Sequence, residues 1–313
     1  MSDEKLSSVW LKLALELAGE ALKRVEERIR ETEELGAEIR QATPEILRQA
    51  VPQVLDIAGK IEHYFKEQLA ERGLDTIMIG KELGTFRVQP RCAPEVEFDR
   101  PIYFISDPFP GVLLLNRDTP PFWHIALSVF TRPKKAELVE PLASIVLDCL
   151  TKKIFFCDTH HSYESQITSQ FNLGEVLEIK PNSTNNLASA LLETYQINPQ
   201  QTHPTIARFR QYLRGLKVIL PNGSASGFCD VASGKADIYL AMNQSPSDIF
   251  PGLTIADKAR CRISTFEGLP VKFYEKSAVL YNVACTANEA LHSKVMQLLG
   301  LYELKDNPEI EEG

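Results

Sequence analysis

One short stretch restricts the fold of this chain more than any other: Pro101–Val112, reading PIYFISDPFPGV. Ile102–Ile105 is a continuous run of β-branched and aromatic residues closed by turn residues, which predicts a buried strand. Asp107 stands where that strand ends, on a turn set by Pro108, Pro110 and Gly111. In an open α/β sheet such a strand end is where ligands bind. Taken alone, an Asp-Pro turn more often marks an aspartate that merely starts a turn, so its meaning depends on the rest of the chain.

The C-terminal part alternates cleanly between strand and helix. Lys217–Leu220 reads as a strand, Pro221–Gly223 as a turn, Ser224–Ser233 as a helix and Ala236–Met242 as a strand. Ala225, Phe228, Cys229 and Ala232 recur at helical spacing and face the core. A helix from Asp248 to about Lys258 follows, then strands Val271–Phe273 and Val279–Val283 and a closing helix Ala287–Leu299. Upstream, Leu6–Ile39 is periodic and charged, one or two amphipathic helices. Pro44 and Pro52 punctuate the next part, and Val54–Arg72 resumes the helical period. Leu74–Ile79 is a short strand leading into Gly80-Lys81-Glu82-Leu83-Gly84, and the prolines of Thr85–Asp99 argue against regular structure there. Phe122–Phe130, Ala143–Leu150 and Lys153–Cys157 read as strands and Asn172–Lys180 as a strand pair. Leu187–Tyr195 and the basic Thr205–Arg214 read as helices.

Composition removes several classes of function. The net charge of −8 argues against a protein that grips a nucleic-acid backbone. No apolar run is long enough to span a bilayer, and the N-terminal MSDEKLSS has no secretory core, so a cytoplasmic protein without membrane contact is expected. The six cysteines are scattered, without a CxxC pair or zinc spacing, and are expected to be reduced thiols. His160-His161 lies in a polar loop, and adjacent histidines diverge too far to chelate one ion well.

Four strand-end segments together carry a family resemblance: Gly80-Lys81-Glu82, Asp107–Gly111, Gly223-Ser224-Ala225 and Ser247–Gly252. With GSASGFCDVASGKADIYL and the closing VACTANEALHSKVMQLL, their order and spacing resemble the inositol monophosphatase family, part of the magnesium-dependent sugar-phosphate phosphatases. The resemblance runs from about Leu13 to Leu299 and is weakest over Thr159–Arg214. It implies an α/β protein: a layered α-β-α-β-α sandwich with an α+β N-terminal half (residues 1–185), a smaller α/β C-terminal half (186–313) and a ligand site between them. It also implies a phosphomonoesterase in which carboxylates hold magnesium, the ions activating water and neutralising the phosphate. Relatives commonly dimerise, so a homodimer is a further expectation.

Carried over to this sequence, the resemblance assigns Asp107, Phe109 (through its backbone carbonyl) and Asp248 to the metal. Asp56 and Glu82 match residues that serve catalysis, and Gly111, Val112, Gly223, Ser224 and Ala225 match those that contact substrate. The departures are as informative. Lys81 replaces the first Glu of the family's "GEE", Pro110 and Val112 replace the second Asp and the Thr of "DPxDGT", and Ser247 replaces the Trp of "WDxAAG". At about 4 Å and an effective dielectric near 20, one unit-charge pair is worth roughly 4 kcal/mol. Exchanging Glu for Lys therefore loses an attraction to a divalent ion and adds a repulsion of similar size.

Two arrangements of Lys81 follow. Its ammonium sits where a metal ion would, pairing with Asp107 and Asp248, or it turns to solvent while Asp248 caps its helix. The first expects an inactive or impaired phosphatase-like protein without a cofactor, acting as a module for a small phosphorylated ligand or another protein. The alternatives are a working magnesium-dependent phosphomonoesterase for an inositol or sugar phosphate, and a purely structural subunit.

Overall fold

The computed structural model describes residues 9–39, 44–93, 102–108, 124–131, 140–168, 172–194, 216–220 and 222–303. Two helices open the chain, α1 (Val9–Ile39) and α2 (Pro44–Glu71). The apolar stripe of α1, including Leu11, Ala14, Leu17, Ala18, Ala21 and Leu22, is buried together with Ile61, Phe65 and Leu69 of α2. Both stripes recur every three or four residues, the spacing that puts side chains on one face of a helix. That face lies on one side of a large sheet, against residues such as Phe104, Leu127 and Ile145.

The large sheet has eight strands in the order β2-β1-β3-β4-β5-β6-β7-β8. They are β1 (Thr76–Gly80), β2 (Gly84–Val88), β3 (Ile102–Asp107), β4 (His124–Thr131), β5 (Glu140–Asp148), β6 (Lys153–Cys157), β7 (Ser162–Gln166) and β8 (Leu177–Glu178). β1 and β3 pair in parallel and the other neighbours are antiparallel. Every residue of β3 is buried, as the unbroken apolar run requires of a strand covered on both faces.

The second sheet has the order β10-β9-β11-β13-β12, built from β9 (Leu191–Thr194), β10 (Val218–Leu220), β11 (Ile238–Gln244), β12 (Arg262–Thr265) and β13 (Tyr281–Thr286). Between the sheets lie α3 (Ala225–Ala232) and α4 (Pro246–Lys258), whose apolar residues share one core with Tyr103, Phe130 and Val146 of the large sheet. The closing helix α5 (Glu289–Glu303) covers the far face of the second sheet through Leu291, Val295 and Leu299. The layers are therefore α-β-α-β-α. The helices between the sheets pack closely: a Cβ on Gly252 of α4 would lie 2.0 Å from the Ala225 carbonyl oxygen. Only glycine allows that approach.

Several local expectations fail for physical reasons. The expected helix Leu187–Tyr195 is absent over its described residues 187–194: a single 3-10 turn at Leu187–Ser189 gives way to β9. Leucine, alanine and glutamate favour helices, but here parallel pairing to both β10 and β11 decides the conformation. Thr85–Asp99 is not wholly irregular, because β2 folds back on β1 through Gly84 at φ +74°. Val271–Phe273 forms no strand; Phe273 instead sits edge-on against Tyr103, Phe130 and Phe250. Helix α2 continues through Pro52. The expected helix Thr205–Arg214 lies outside the described residues. No helix among them is long and apolar enough to cross a membrane.

Candidate functional site

The parallel pair β1 and β3 carries two chemical groups to the same edge of the large sheet, because Gly80 pairs with Ser106. Lys81 follows β1, and Asp107 is the last residue of β3. A third comes from α4, where Asp248 stands in the first turn after Pro246 and faces back toward the large sheet. One Asp248 oxygen accepts from the Ser245 backbone N–H (3.1 Å) and hydroxyl (2.6 Å), which fixes the side chain at the helix start.

Lys81 reaches this carboxylate. Its Nζ lies 2.7 Å from Asp248 Oδ1 and 2.6 Å from Oδ2, and 3.9 Å from Asp107 Oδ2. The cation is partly exposed while both acids are buried, so the site presents an ammonium to the outside and carboxylates beneath it. The two acids titrate in opposite directions. Burial dominates at Asp107, with the Asp248 charge adding to it and Lys81 opposing, and its carboxyl is raised well above the usual range. Burial would also raise Asp248, but the charge and hydrogen bonds of Lys81, with those of Ser245, outweigh it and hold that carboxyl below its usual value. Lys81 thus favours the charged form of Asp248, the acid it touches with both oxygens, more than that of Asp107, which it approaches only to 3.9 Å. Asp107 Oδ2 has no hydrogen-bond donor among the described residues.

The turn that aims Lys81 is built on a residue the sequence reading missed, Glu62 of α2. Its carboxylate is fully buried and accepts the backbone N–H groups of Lys81 (2.7 Å), Glu82 (3.2 Å) and Leu83 (2.8 Å), with the Ser106 hydroxyl at 3.1 Å. Burial raises its pKa and these donors lower it, burial prevailing. A Cβ on Gly80 would lie 2.3 Å from this carboxylate, so the glycine gives it room. The available signal was a lone Glu on the apolar stripe between Ile61 and Phe65.

Of the remaining residues assigned from sequence, Gly223, Ser224 and Ala225 are buried at the start of α3. Ser224 adopts φ +59°, ψ −148°, an uncommon conformation for a residue with a side chain, and its hydroxyl donates to the Asp248 carbonyl at 3.4 Å. The segment is thereby tied to the Lys81 cluster. Glu82 is not part of that cluster: it is exposed, and among the described residues its carboxylate has no hydrogen bond or ion pair. Phe109, Pro110, Gly111 and Val112, and the side chain of Asp56, lie outside the described residues. His160 and His161 sit in an exposed loop, their N–H groups donating to Asp158 and their rings 6.4 Å apart.

This arrangement of sheets, helices and inter-sheet cluster defines a protein with the inositol monophosphatase-type fold. Among solved structures, the chain is similar to Mycobacterium tuberculosis SuhB, with 17% identity and a TM-score of 0.63 over 93% of this chain and 95% of that one. It is similar to inositol monophosphatase II from Staphylococcus aureus MSSA476, with 18% identity and a TM-score of 0.65 over 93% and 95%. For inositol monophosphate-bound SaIMPase-II the values are 17% and 0.67 over 95% and 97%. Identities this low carry the fold alone. No family model and no curated protein sequence matches the chain.

Proposed function

We propose that this chain is a non-hydrolysing member of the inositol monophosphatase fold, a binding module for a small phosphorylated ligand or an interacting protein. One observation carries the reading: the Lys81 ammonium bridges both oxygens of Asp248 at 2.7 and 2.6 Å, with Asp107 Oδ2 3.9 Å away. Those two aspartates are the ones the family resemblance assigns to magnesium. The side chains present do not fit that ion. A hard divalent cation takes several oxygen ligands at ~2.0–2.1 Å, and the acceptor face of Asp248 is already occupied by a fixed positive charge. Among the described residues no three His, Cys, Asp or Glu side chains converge to hold a metal. The sequence points the same way, with Pro110 and Val112 standing where the family has an acid and a hydroxyl.

Without a metal-held water the described residues of the site offer no nucleophile for phosphorus, but they keep a partly exposed cation, Lys81, at the start of α4. Those features suit an anion that is held and not cleaved. The bound ligand of SaIMPase-II, inositol monophosphate, sets the class to test first. Calorimetry with magnesium, with inositol monophosphate and with both, alongside a phosphate-release assay, decides the matter. The reading expects ligand binding that does not depend on magnesium, and no turnover. Magnesium-dependent phosphate release would establish a working phosphomonoesterase and overturn it.

A further inference from the structure

A cavity of about 290 Å³ opens on the same face of the large sheet as Asp107, under helix α3. Strand pairing accounts for its floor. Asp107 pairs with Ala126, Ala126 with Val146, and Val146 with Phe155, so all four side chains leave the sheet on one face. Two residues outward, His124 pairs with Asp148 and Lys153 with Gln166, forming a polar rank beyond the apolar one. Ser226 and Asp230 of α3 form the opposite wall.

The charged groups around this cavity leave one negative charge over. Lys153 Nζ lies 2.7 Å from Glu164 Oε2, and Lys235 Nζ lies 3.0 Å from Asp230 Oδ1, so each lysine is matched by one acid. Glu193 is joined to Asp230 through the Asn222 amide. Burial, then the Asp230 charge, pushes the Glu193 carboxyl up to about 8, so it adds little negative charge at neutral pH. Asp148 is the remainder. It is half-buried, and its Oδ1 accepts the backbone N–H groups of Leu150 (2.8 Å) and Thr151 (2.9 Å). Among the described residues no cation lies within ion-pair distance of it. Across the strand pair stands His124, 3% exposed, whose Nε2 has no hydrogen-bond partner among the described residues. Burial outweighs the Asp148 and Asp248 charges and pushes His124 down to about 4, so the ring is neutral at pH 7 and one of its nitrogens accepts.

A carboxylate without a cation beside a neutral imidazole suits a ligand that brings one positive charge and N–H donors. A hard metal ion is a poor fit, because among the described residues no three His, Cys, Asp or Glu side chains converge to hold one. An anion would be repelled by Asp148. A doubly charged amine would set its second ammonium against Lys153 or Lys235, with no acid left to match it. Those two lysines also cover the Phe155 ring, 5.1 and 4.9 Å from its centroid, which leaves the Asp148 end for a cation. A single ammonium on a short apolar body would meet one charge, one acceptor and the Val146 side chain. We infer that this cavity is a binding site for a small primary amine of one positive charge, its ammonium held between the Asp148 carboxylate and His124 Nε2. The assignment does not depend on phosphate binding at Lys81.

The test uses the whole chain at neutral pH, with benzylamine as probe and benzyl alcohol as its uncharged counterpart, read by calorimetry and saturation-transfer NMR. Benzylamine is expected to bind about tenfold or more tighter than benzyl alcohol and to shift the His124 ring resonances. Asp148→Asn removes the charge but keeps an oxygen for the Leu150 and Thr151 N–H groups, so the turn is retained. That variant should weaken benzylamine by about tenfold or more and leave benzyl alcohol as it was. Ser226→Leu fills the cavity from its half-buried wall and should weaken both probes. The inference is overturned if benzylamine does not bind at tens of millimolar, if the two probes bind alike, or if either variant, once folded, binds benzylamine as the native chain does.

Discussion

Replacing Lys81 by methionine removes the ammonium and keeps most of the aliphatic stem, so it isolates the charge. Asp107 and Asp248 are 1% and 8% exposed and would face each other without a cation. Breaking a fully buried ion pair by removing one partner costs roughly 3–5 kcal/mol. Lys81 is 36% exposed, so water and salt screen part of that interaction, and about 2 kcal/mol is the expected loss at neutral pH. The loss depends on pH in one direction. Asp248 is held below the usual carboxylate range in the native chain, so its pairing stabilises above that range and is lost as pH falls through the lowered value. The deficit of Lys81→Met is therefore full at pH 7 and shrinks in acid, where both carboxyls are protonated. Urea unfolding of both proteins between pH 2 and pH 8 measures it, with the midpoint shifting and the slope unchanged. Equal stability at pH 7, or a deficit that grows in acid, would refute the charge pairing.

Further perturbations test other parts of the account. Glu62→Ala strands three backbone N–H groups and is expected to lower unfolding free energy by about 2–4 kcal/mol, Glu62→Gln by less. Glu193 titrates near 8 when folded, above its unfolded value, so its contribution is present at low pH and lost as pH rises toward 8. Glu193→Gln should flatten that decline, gaining on the native chain by up to about 1.4 kcal/mol per pH unit in denaturation curves from pH 5 to 8. Gly252→Ala drives a methyl into the Ala225 carbonyl and should cost about 1–3 kcal/mol by thermal melting. Millimolar magnesium should leave the melting temperature unchanged, since an ion that does not bind the folded state cannot stabilise it.

The parts of the fold legible in sequence were those where local pattern and tertiary environment agree. The all-apolar Ile102–Ile105 became the fully buried β3, and the periodic residues of Ala225–Ala232 turned inward as α3. Leu191–Thr194 was illegible because its residues favour helix and only its neighbours make it a strand. In the site, Lys81, Asp107 and Asp248 could be named from their spacing, because the family resemblance supplied the places where strands and helices end. Glu62 showed only as an acid on an apolar stripe, since its role is to accept backbone N–H groups from a turn about twenty residues away, which no motif spells out. His124 and Asp148 come together only through antiparallel register, which no local motif encodes.

The most direct test is the electron density between Asp107 and Asp248 in a crystal soaked in manganese, a magnesium substitute with an anomalous signal. The Lys81 side chain, continuous to both oxygens of Asp248 and without an anomalous peak, is the predicted result. An anomalous peak ligated by the two aspartates, with Lys81 swung away, would contradict it.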